Sequence, residues 1–393
     1  MRIAIFVDSF YPVLGGMEDA TATLAKSLGE AGYEVDLYVP SFSRRNYLGR
    51  ALPVGDLNLG PKVKIYHLFS LPLPYWLFAA RLIVPTLGGY RFFKKNRPDL
   101  IHVQSMWGAG LEALWASSLL KIPLVGTNHA IISEFGAYFP FAKKTFIKIM
   151  VRYENWFYNR CLIYSTPSTV AEQVMKENGV KHPGRVISNI IDIENFKPSL
   201  VMKDEFGLAN HPIVCFAGRF AIEKRVEVLL QAINLVRRQK PEVVLALAGA
   251  GVQQKNWEKL IAELGIEANV KFVGSLSKPQ LAKLFQASDV FAIASPVESQ
   301  GMVALQAMAC GLPVVGVNGR AIPEYVNAEN GFIVPVDDHE AMADCLLKLL
   351  NDRELAQKLG ARGREKVEKY SKQNIIKDWE EVYNFALNKK DET

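Results

Sequence analysis

The sequence predicts an α/β protein of two domains, each a parallel sheet covered by helices on both faces. Three observations carry that expectation. Short, wholly apolar runs recur with helical stretches between them, as in sheets buried on both faces. The alternation occurs twice, before and after a break over residues 189–211 where Pro198 and polar residues interrupt it. A chain of 393 residues is long for one core and comfortable for two.

In the first series, Ile3 to Val7 reads as a strand. The turn Tyr11-Pro12-Val13-Leu14-Gly15-Gly16 follows, then a helix with Ala20, Leu24, Leu28 and Ala31 on one face. Val35 to Val39, Leu100 to Val103 and Pro123 to Gly126 read as further strands. In the second series, Ile213 to Ala217 precedes a helix with Val226, Leu229, Leu230, Ile233 and Val236 at helical spacing. Val243 to Leu247, Val270 to Val273, Val290 to Ile293 and Pro313 to Val317 are the strands that follow. The last helix carries Ile375, Trp379, Val382, Tyr383 and Ala386, and is expected to return to the first domain. The expected domains are therefore residues 1–197 and 198–370, with 371–393 as the returning helix.

Composition narrows the class. Hydrophobic residues at 49% and charged residues at 22% suit a folded, soluble protein. Cys161, Cys215, Cys310 and Cys345 are scattered without CxxC spacing, which reads as reduced thiols in a cytoplasmic protein. The chain opens directly on a strand pattern rather than a secretory leader. The apolar region from Leu68 to Tyr90 holds Pro72, Pro74, Pro85 and Arg81, which argues against a spanning helix.

The net charge of +6 is unevenly placed: residues 1–197 hold 22 Lys and Arg against 15 Asp and Glu. Arg81, Arg91, Lys94, Lys95 and Arg97 lie near Tyr75, Trp76 and Phe78. Lys143, Lys144, Lys148 and Arg152 lie among Phe139, Phe141, Phe146 and Ile149. Such interleaving suits an anionic membrane surface, or a solvated basic face over an ordinary core. No aromatic-basic recognition motif supports a nucleic-acid partner.

In open α/β sheets, ligands collect at the carboxyl ends of the strands. Gly15-Gly16 occupies such an end, either cradling a phosphate or forming a plain turn. Gly218-Arg219 follows another strand, and Lys224 is read as opening the next helix. Two cations there suit a diphosphate better than a helix start, where positive charge is unfavourable. Gly249-Ala250-Gly251 offers either close backbone approach to a ligand or a turn. Glu298 precedes Ser299-Gln300-Gly301 and a helix from Met302, placing one carboxylate beside the backbone donors of Gly301, Met302 and Val303. His129 ends an apolar strand in Gly126-Thr127-Asn128-His129, with a structural or a functional role. No Asp-x-Asp closes a strand, so a metal-held diphosphate has no obvious ligand set; no metal and no cofactor are expected. Asp337-Asp338 reads as a helix N-cap.

Taken together, these segments resemble the retaining glycosyltransferases of the GT-B fold, specifically family 4. That family includes phosphatidylinositol mannosyltransferases and diacylglycerol glucosyltransferases. The resemblance runs through Pro12-x-x-Gly15-Gly16-x-Glu18, Pro98-Asp99-Leu100-Ile101-His102, Thr127-x-His129, Thr166-Pro167-Ser168 and Asn189-x-x-Asp192. It continues through Gly218-Arg219 with Glu223-Lys224, and Gly249-x-Gly251. Its most specific part is Ser295-Pro296-x-Glu298-x-x-Gly301, running on to Ala307-Met308-Ala309-Cys310-Gly311-Leu312-Pro313-Val314-Val315.

The resemblance implies two Rossmann-like domains facing across a cleft. It also implies transfer of a hexose, with retention and without a metal, from a nucleotide-sugar to a lipid or glycan hydroxyl. Arg219 and Lys224 would clamp the donor diphosphate, and Gly15 and Gly16 would approach it from the first domain. Glu298, Gln300 and the backbone of Gly301 to Val303 would hold the sugar, and His129 would touch it near the reacting carbon. Gly218, Gly249 and Gly251 would line the donor. The sequence departs twice from the family pattern. Arg225 stands where Gly is usual, and the second acid of Glu-x7-Glu, which holds the ribose, is replaced by Gln306. That second departure keeps open a non-catalytic subunit, beside another GT-B enzyme such as a sugar-nucleotide epimerase.

Overall fold

The computed structural model describes residues 1–13, 15–43, 55–72, 81–94, 96–132, 143–199, 203–209 and 211–391. It divides into one unit of Met1–Ile190 with Lys372–Thr393, and a second of Ile191–Ser371. In chain order the first unit has β1 (Arg2–Phe6), α1 (Gly16–Glu30), β2 (Glu34–Pro40), β3 (Val63–Leu68), β4 (Ser70–Pro72), β5 (Arg81–Ile83) and α2 (Gly88–Phe93). It continues with β6 (Leu100–Val103), α3 (Gly108–Leu120), β7 (Leu124–Thr127), α4 (Lys143–Tyr158), β8 (Ile163–Thr166), α5 (Thr169–Asn178) and β9 (Gly184–Val186). The second unit has β10 (Ile213–Ala217), α6 (Val226–Val236), β11 (Val244–Ala248), α7 (Gln254–Leu264), β12 (Val270–Gly274), α8 (Lys278–Ala287) and β13 (Val290–Ile293). It ends with α9 (Met302–Ala309), β14 (Val314–Val317), α10 (Ile322–Tyr325), β15 (Gly331–Val334), α11 (His339–Asn351) and α12 (Arg353–Val367). The last helix, α13 (Lys372–Asp391), belongs to the first unit.

Among the described residues the first sheet runs β3-β2-β1-β6-β7-β8-β9 and the second β12-β11-β10-β13-β14-β15. Every pairing in both is parallel. The central strands β1, β6, β10 and β13 are almost wholly buried, as the apolar runs require. In the first unit Phe6, Tyr38 and Phe93 pack with Val103, Phe157 and Tyr164. In the second, α6 lays Val226, Leu229, Leu230 and Ile233 in a core shared with Leu346 of α11.

Strands β3, β4, β5, β8, β9 and β15 escaped the sequence reading, and for three of them the structure shows why. β3 is an edge strand with Lys64 and His67 exposed, and β9 is a three-residue edge with Arg185 and Val186 exposed. β8 is internal but ends in Ser165 and Thr166, whose polar side chains interrupt the apolar signal although both are buried. Ser165 Oγ is satisfied by Thr127 Oγ1 at 2.8 Å. The divide between the units also falls earlier than residue 197. Ile191 and Phe196 are buried in the second core, Phe196 against Phe285. Arg364 ties that segment down by donating to the carbonyls of Phe196 and Ala309, each at 2.8 Å.

α13 lies on the first unit through specific contacts. The Trp379 ring lies 4.4 Å from the His102 ring at a tilt of 48°, Tyr33 donates to Glu380 at 2.8 Å, and Lys372 donates to Glu30 at 2.7 Å. Among the described residues no helix is long and apolar enough to cross a membrane.

Candidate functional site

At the carboxyl edge of the second sheet, the loops after β10 and β11 lock together. Gly218 N–H donates to Ala248 at 3.0 Å, Phe220 N–H to Ala250 at 2.9 Å, and Gln253 N–H to Phe220 at 3.0 Å. A Cβ on Gly249 would sit 1.9 Å from the Gly218 carbonyl oxygen, and one on Gly251 would sit 2.4 Å from that of Phe220. The close approach these glycines permit is thus between two backbones of this unit.

The locked loops present Arg219, Glu223 and Lys224. Arg219 is exposed and donates to Glu223 Oε1 at 3.2 Å. Lys224 does not open a helix as the sequence suggested: it closes the 3₁₀ turn Ile222–Lys224, and α6 begins at Val226. The cause is Arg225, which adopts the left-handed conformation at φ 51° and so separates turn from helix. That conformation favours glycine. Here the arginine is held by Asp337, at 2.9 Å from Nε and 2.6 Å from a terminal nitrogen. The expected cap Asp337-Asp338 divides accordingly: Asp338 accepts from Ala341 N–H at 2.9 Å as the N-cap of α11, while Asp337 serves Arg225.

Lys224 Nζ donates to Glu298 Oε1 at 2.6 Å, with side chains only 17% and 13% exposed. Burial alone would raise the Glu298 carboxyl. The charge and hydrogen bond of Lys224, with Arg219 nearby, hold it below its ordinary value, so it stays ionised. Three residues on, Gly301 caps α9 at φ 80°, where a Cβ would collide with Ile322. Ala304 N–H and Leu305 N–H both reach the Gly301 carbonyl, at 2.9 and 3.3 Å. Met302 and Val303 thus supply first-turn N–H groups with no carbonyl partner inside the helix, the arrangement that attracts anions. Gln306 is buried one turn beyond Met302 on the same face, and Gln300 is buried beside Tyr325. This edge therefore gathers Arg219 with Glu223, Lys224 with the ionised Glu298, and a helix N-terminus.

In the first unit, Gly15 is the N-cap of α1 and Gly16 its first residue. The backbone of Gly15 is extended, so its need for glycine is spatial: a Cβ would lie 2.4 Å from Glu18 Oε2. Glu18 is buried and accepts from Ser9. His129 follows β7, and its Nε2 lies 2.7 Å from Gln104 Oε1. Burial pushes the His129 imidazole down to about 4, and burial together with His129 pushes His102 down to about 3, so both are neutral near pH 7.

Sequence reasoning missed Gln104 and Glu154, whose importance depends on partners far away along the chain. Glu154 is buried beneath the His129 loop and accepts from Asn128 Nδ2 at 2.7 Å and Asn178 Nδ2 at 3.1 Å. Burial outweighs those bonds and pushes its carboxyl from 4.5 up to about 7. The folded protein thus keeps a proton that the unfolded chain releases. The resulting stability is present below about pH 4.5 and lost as pH rises through about 7. Glu154→Gln should therefore gain about 1–3 kcal/mol relative to the parent between pH 5 and pH 8. Denaturant melts at both pH values check this, and a stability difference independent of pH would contradict it.

Comparison with known proteins accords with this arrangement. Residues 202–366 match the family model Glycosyl transferases group 1, and residues 14–195 match Glycosyltransferase Family 4. The chain is 23% identical over 384 residues to an alpha-monoglucosyldiacylglycerol synthase of Streptococcus pneumoniae, covering 91% of this chain and 82% of that protein. It is 27% identical over 387 residues to an N-acetyl-alpha-D-glucosaminyl L-malate synthase of Bacillus anthracis, covering 96% of each. In structure it resembles Anabaena HepE in complex with UDP and glucose. The TM-score is 0.77 at 22% identity, covering 98% of this chain and 99% of that one. With both halves matched and the fold shared along the whole chain, the protein is a glycosyltransferase of family 4 and belongs to the GT-B fold.

Proposed function

We propose that this enzyme transfers a hexose from a nucleotide-sugar, UDP favoured over GDP, to a hydroxyl of a lipid or glycan acceptor. Transfer proceeds with retention and without a metal. The observation that carries this reading is the Lys224–Glu298 pair at the sheet edge, beside Arg219 and the α9 N-terminus. Donor binding recruits both members of the pair. Lys224 and Arg219 meet the diphosphate and stabilise the charge developing on the leaving nucleotide, while Glu298 takes sugar hydroxyls. Gln300 and the N–H groups of Gly301, Met302 and Val303 complete the sugar contacts. Gly218, Gly249 and Gly251 shape the donor loops, Gly15 and Gly16 approach the phosphates, and His129 touches the sugar near its reacting carbon. UDP and glucose in HepE, and the lipid named in the pneumococcal relative, support the choice of donor and acceptor class.

Gln306 is assigned to the ribose. A neutral amide oxygen accepts less strongly than a carboxylate, so the expected loss is about 1 kcal/mol, or about fivefold in affinity. Gln306→Glu should tighten nucleotide binding and Gln306→Ala should weaken it, read by calorimetric titration of UDP and GDP. Equal affinity in all three proteins would remove Gln306 from the ribose site. Failure of all three to bind any nucleotide would favour the non-catalytic reading.

The lipid reading places the enzyme in the cytoplasm, peripheral at the inner face of an anionic membrane. Lys144, Lys148, Ile149, Arg152 and Trp156 are exposed on α4, with Arg160 4.3 Å over the Trp156 ring. Tyr75, Trp76, Phe78, Lys95, Phe139, Phe141 and the side chain of Lys143 lie outside the described residues. The protein should float with anionic but not neutral vesicles at low salt. Failure with both would rule the contact out.

A further inference from the structure

A polar chain threads the first unit from the C-terminal helix to His129. Tyr383 Oη of α13 lies 2.9 Å from His102 Nδ1. His102 Nε2 lies 2.9 Å from Gln104 Nε2 and 2.7 Å from Thr127 Oγ1. Gln104 Oε1 in turn lies 2.7 Å from His129 Nε2. His102, Gln104, Thr127 and Tyr383 are all buried, and the Trp379 ring covers His102. A buried polar network of this kind holds its members in one arrangement only while every donor meets an acceptor.

We propose that Gln104 is the positioning residue for His129, and that His102 and Tyr383 set the orientation of Gln104. With the Gln104 amide oriented this way, the hydrogen bonds assign the protons. A carbonyl oxygen only accepts, so His129 Nε2 carries the hydrogen and Nδ1 keeps its lone pair. The Gln104 amide nitrogen only donates, so His102 Nε2 is an acceptor, and His102 Nδ1–H donates to Tyr383. Thr127 Oγ1 crowds the same His102 nitrogen at 2.7 Å and pairs with Ser165 Oγ at 2.8 Å, where either hydroxyl can donate. The amide therefore acts as a one-way adaptor between two neutral imidazoles. It fixes the tautomer and ring plane of the histidine that, in the reading above, touches the donor sugar. This gives α13 a role beyond covering the sheet, because its Tyr383 accepts from the first imidazole of the chain. The inference rests on the proposed role of His129, and it predicts a histidine tautomer that can be read without turnover.

Gln104→Leu keeps the side-chain size and removes both contacts. It should lower kcat by about 10- to 100-fold while leaving calorimetric nucleotide affinity unchanged, because it misplaces one group and removes no donor contact. In a His129→Ala background the same substitution should change kcat less than about twofold, because its effect acts through the missing ring. Gln104→Glu still offers an accepting oxygen to His129 and should recover part of the loss. Nitrogen-15 NMR of histidine-labelled protein should show His129 as the Nε2–H tautomer in the parent and a mixture in Gln104→Leu. Additive losses in the double variant, unchanged kcat in Gln104→Leu, or an Nδ1–H tautomer in the parent would each overturn the proposal. If the parent turns over no donor, the activity reading fails on that result alone, and the NMR result still decides the positioning claim.

Discussion

Replacing Lys224 by Ala should lower kcat by roughly 100- to 1000-fold, the effect of losing about 2.7–4 kcal/mol of preorganised charge stabilisation. Arg219→Ala should fall in the same range, since both cations are assigned to the same diphosphate. Their stabilities should differ. Arg219 is itself 52% exposed, so water screens its 3.2 Å pair with Glu223 although that carboxylate is only 11% exposed, whereas both members of the 2.6 Å Lys224–Glu298 pair are largely buried. Lys224→Ala should therefore melt earlier than Arg219→Ala. Lys224→Met combined with Glu298→Gln should restore stability without restoring turnover. Nucleotide release at saturating donor gives the first comparison and thermal melts the second. Near-parental kcat in both single variants would remove the diphosphate assignment.

Gly249→Ala should be among the most damaging substitutions in the second unit, although it adds only one methyl group. Its Cβ would stand 1.9 Å from a backbone oxygen, and its φ of 136° suits glycine alone. Strained backbone costs about 1–3 kcal/mol and overpacking about 1–3 more. At about 2–4 °C per kcal/mol, Tm should fall by about 5–20 °C. Gly265→Ala is the matched control. It too has positive φ, at 61°, but nothing lies within 4 Å of its Cβ, so only the local cost of about 1 kcal/mol applies. Melts of the two variants side by side check the account. If Gly265→Ala proved as damaging, the locking of the two loops would carry no weight.

These two cases mark how far the sequence could be read. The central strands were legible because burial on both faces leaves them uniformly apolar, and α9 begins at Met302 where the Gly301 punctuation placed it. The position of Glu298 followed from the same strand-to-helix turn. Lys224 was misplaced relative to α6 because propensity gives no sign that Arg225 will enter the left-handed region, a state its link to Asp337 supports across the fold. The glycines after β11 could be read as a turn or a ligand approach. Choosing between them needed the loop after β10, which is distant in sequence. Gln104 and Glu154 were invisible for the same reason. Each is one polar residue in an ordinary segment, and its contact with the His129 loop spans 25 or 26 residues. The resemblance supplied roles for residues, while the environments that let those residues act became readable only in three dimensions.

The most direct test of the central claim is a panel of UDP- and GDP-sugars, with and without a lipid extract and with a chelator throughout. It reads nucleotide release, label in the lipid phase and the anomeric configuration of the product. The account predicts release from a UDP-hexose, stimulated by the extract, with an α-linked donor giving an α-linked product and with Lys224→Ala inactive. Absence of release from every donor, release abolished by the chelator, or an inverted product would contradict it.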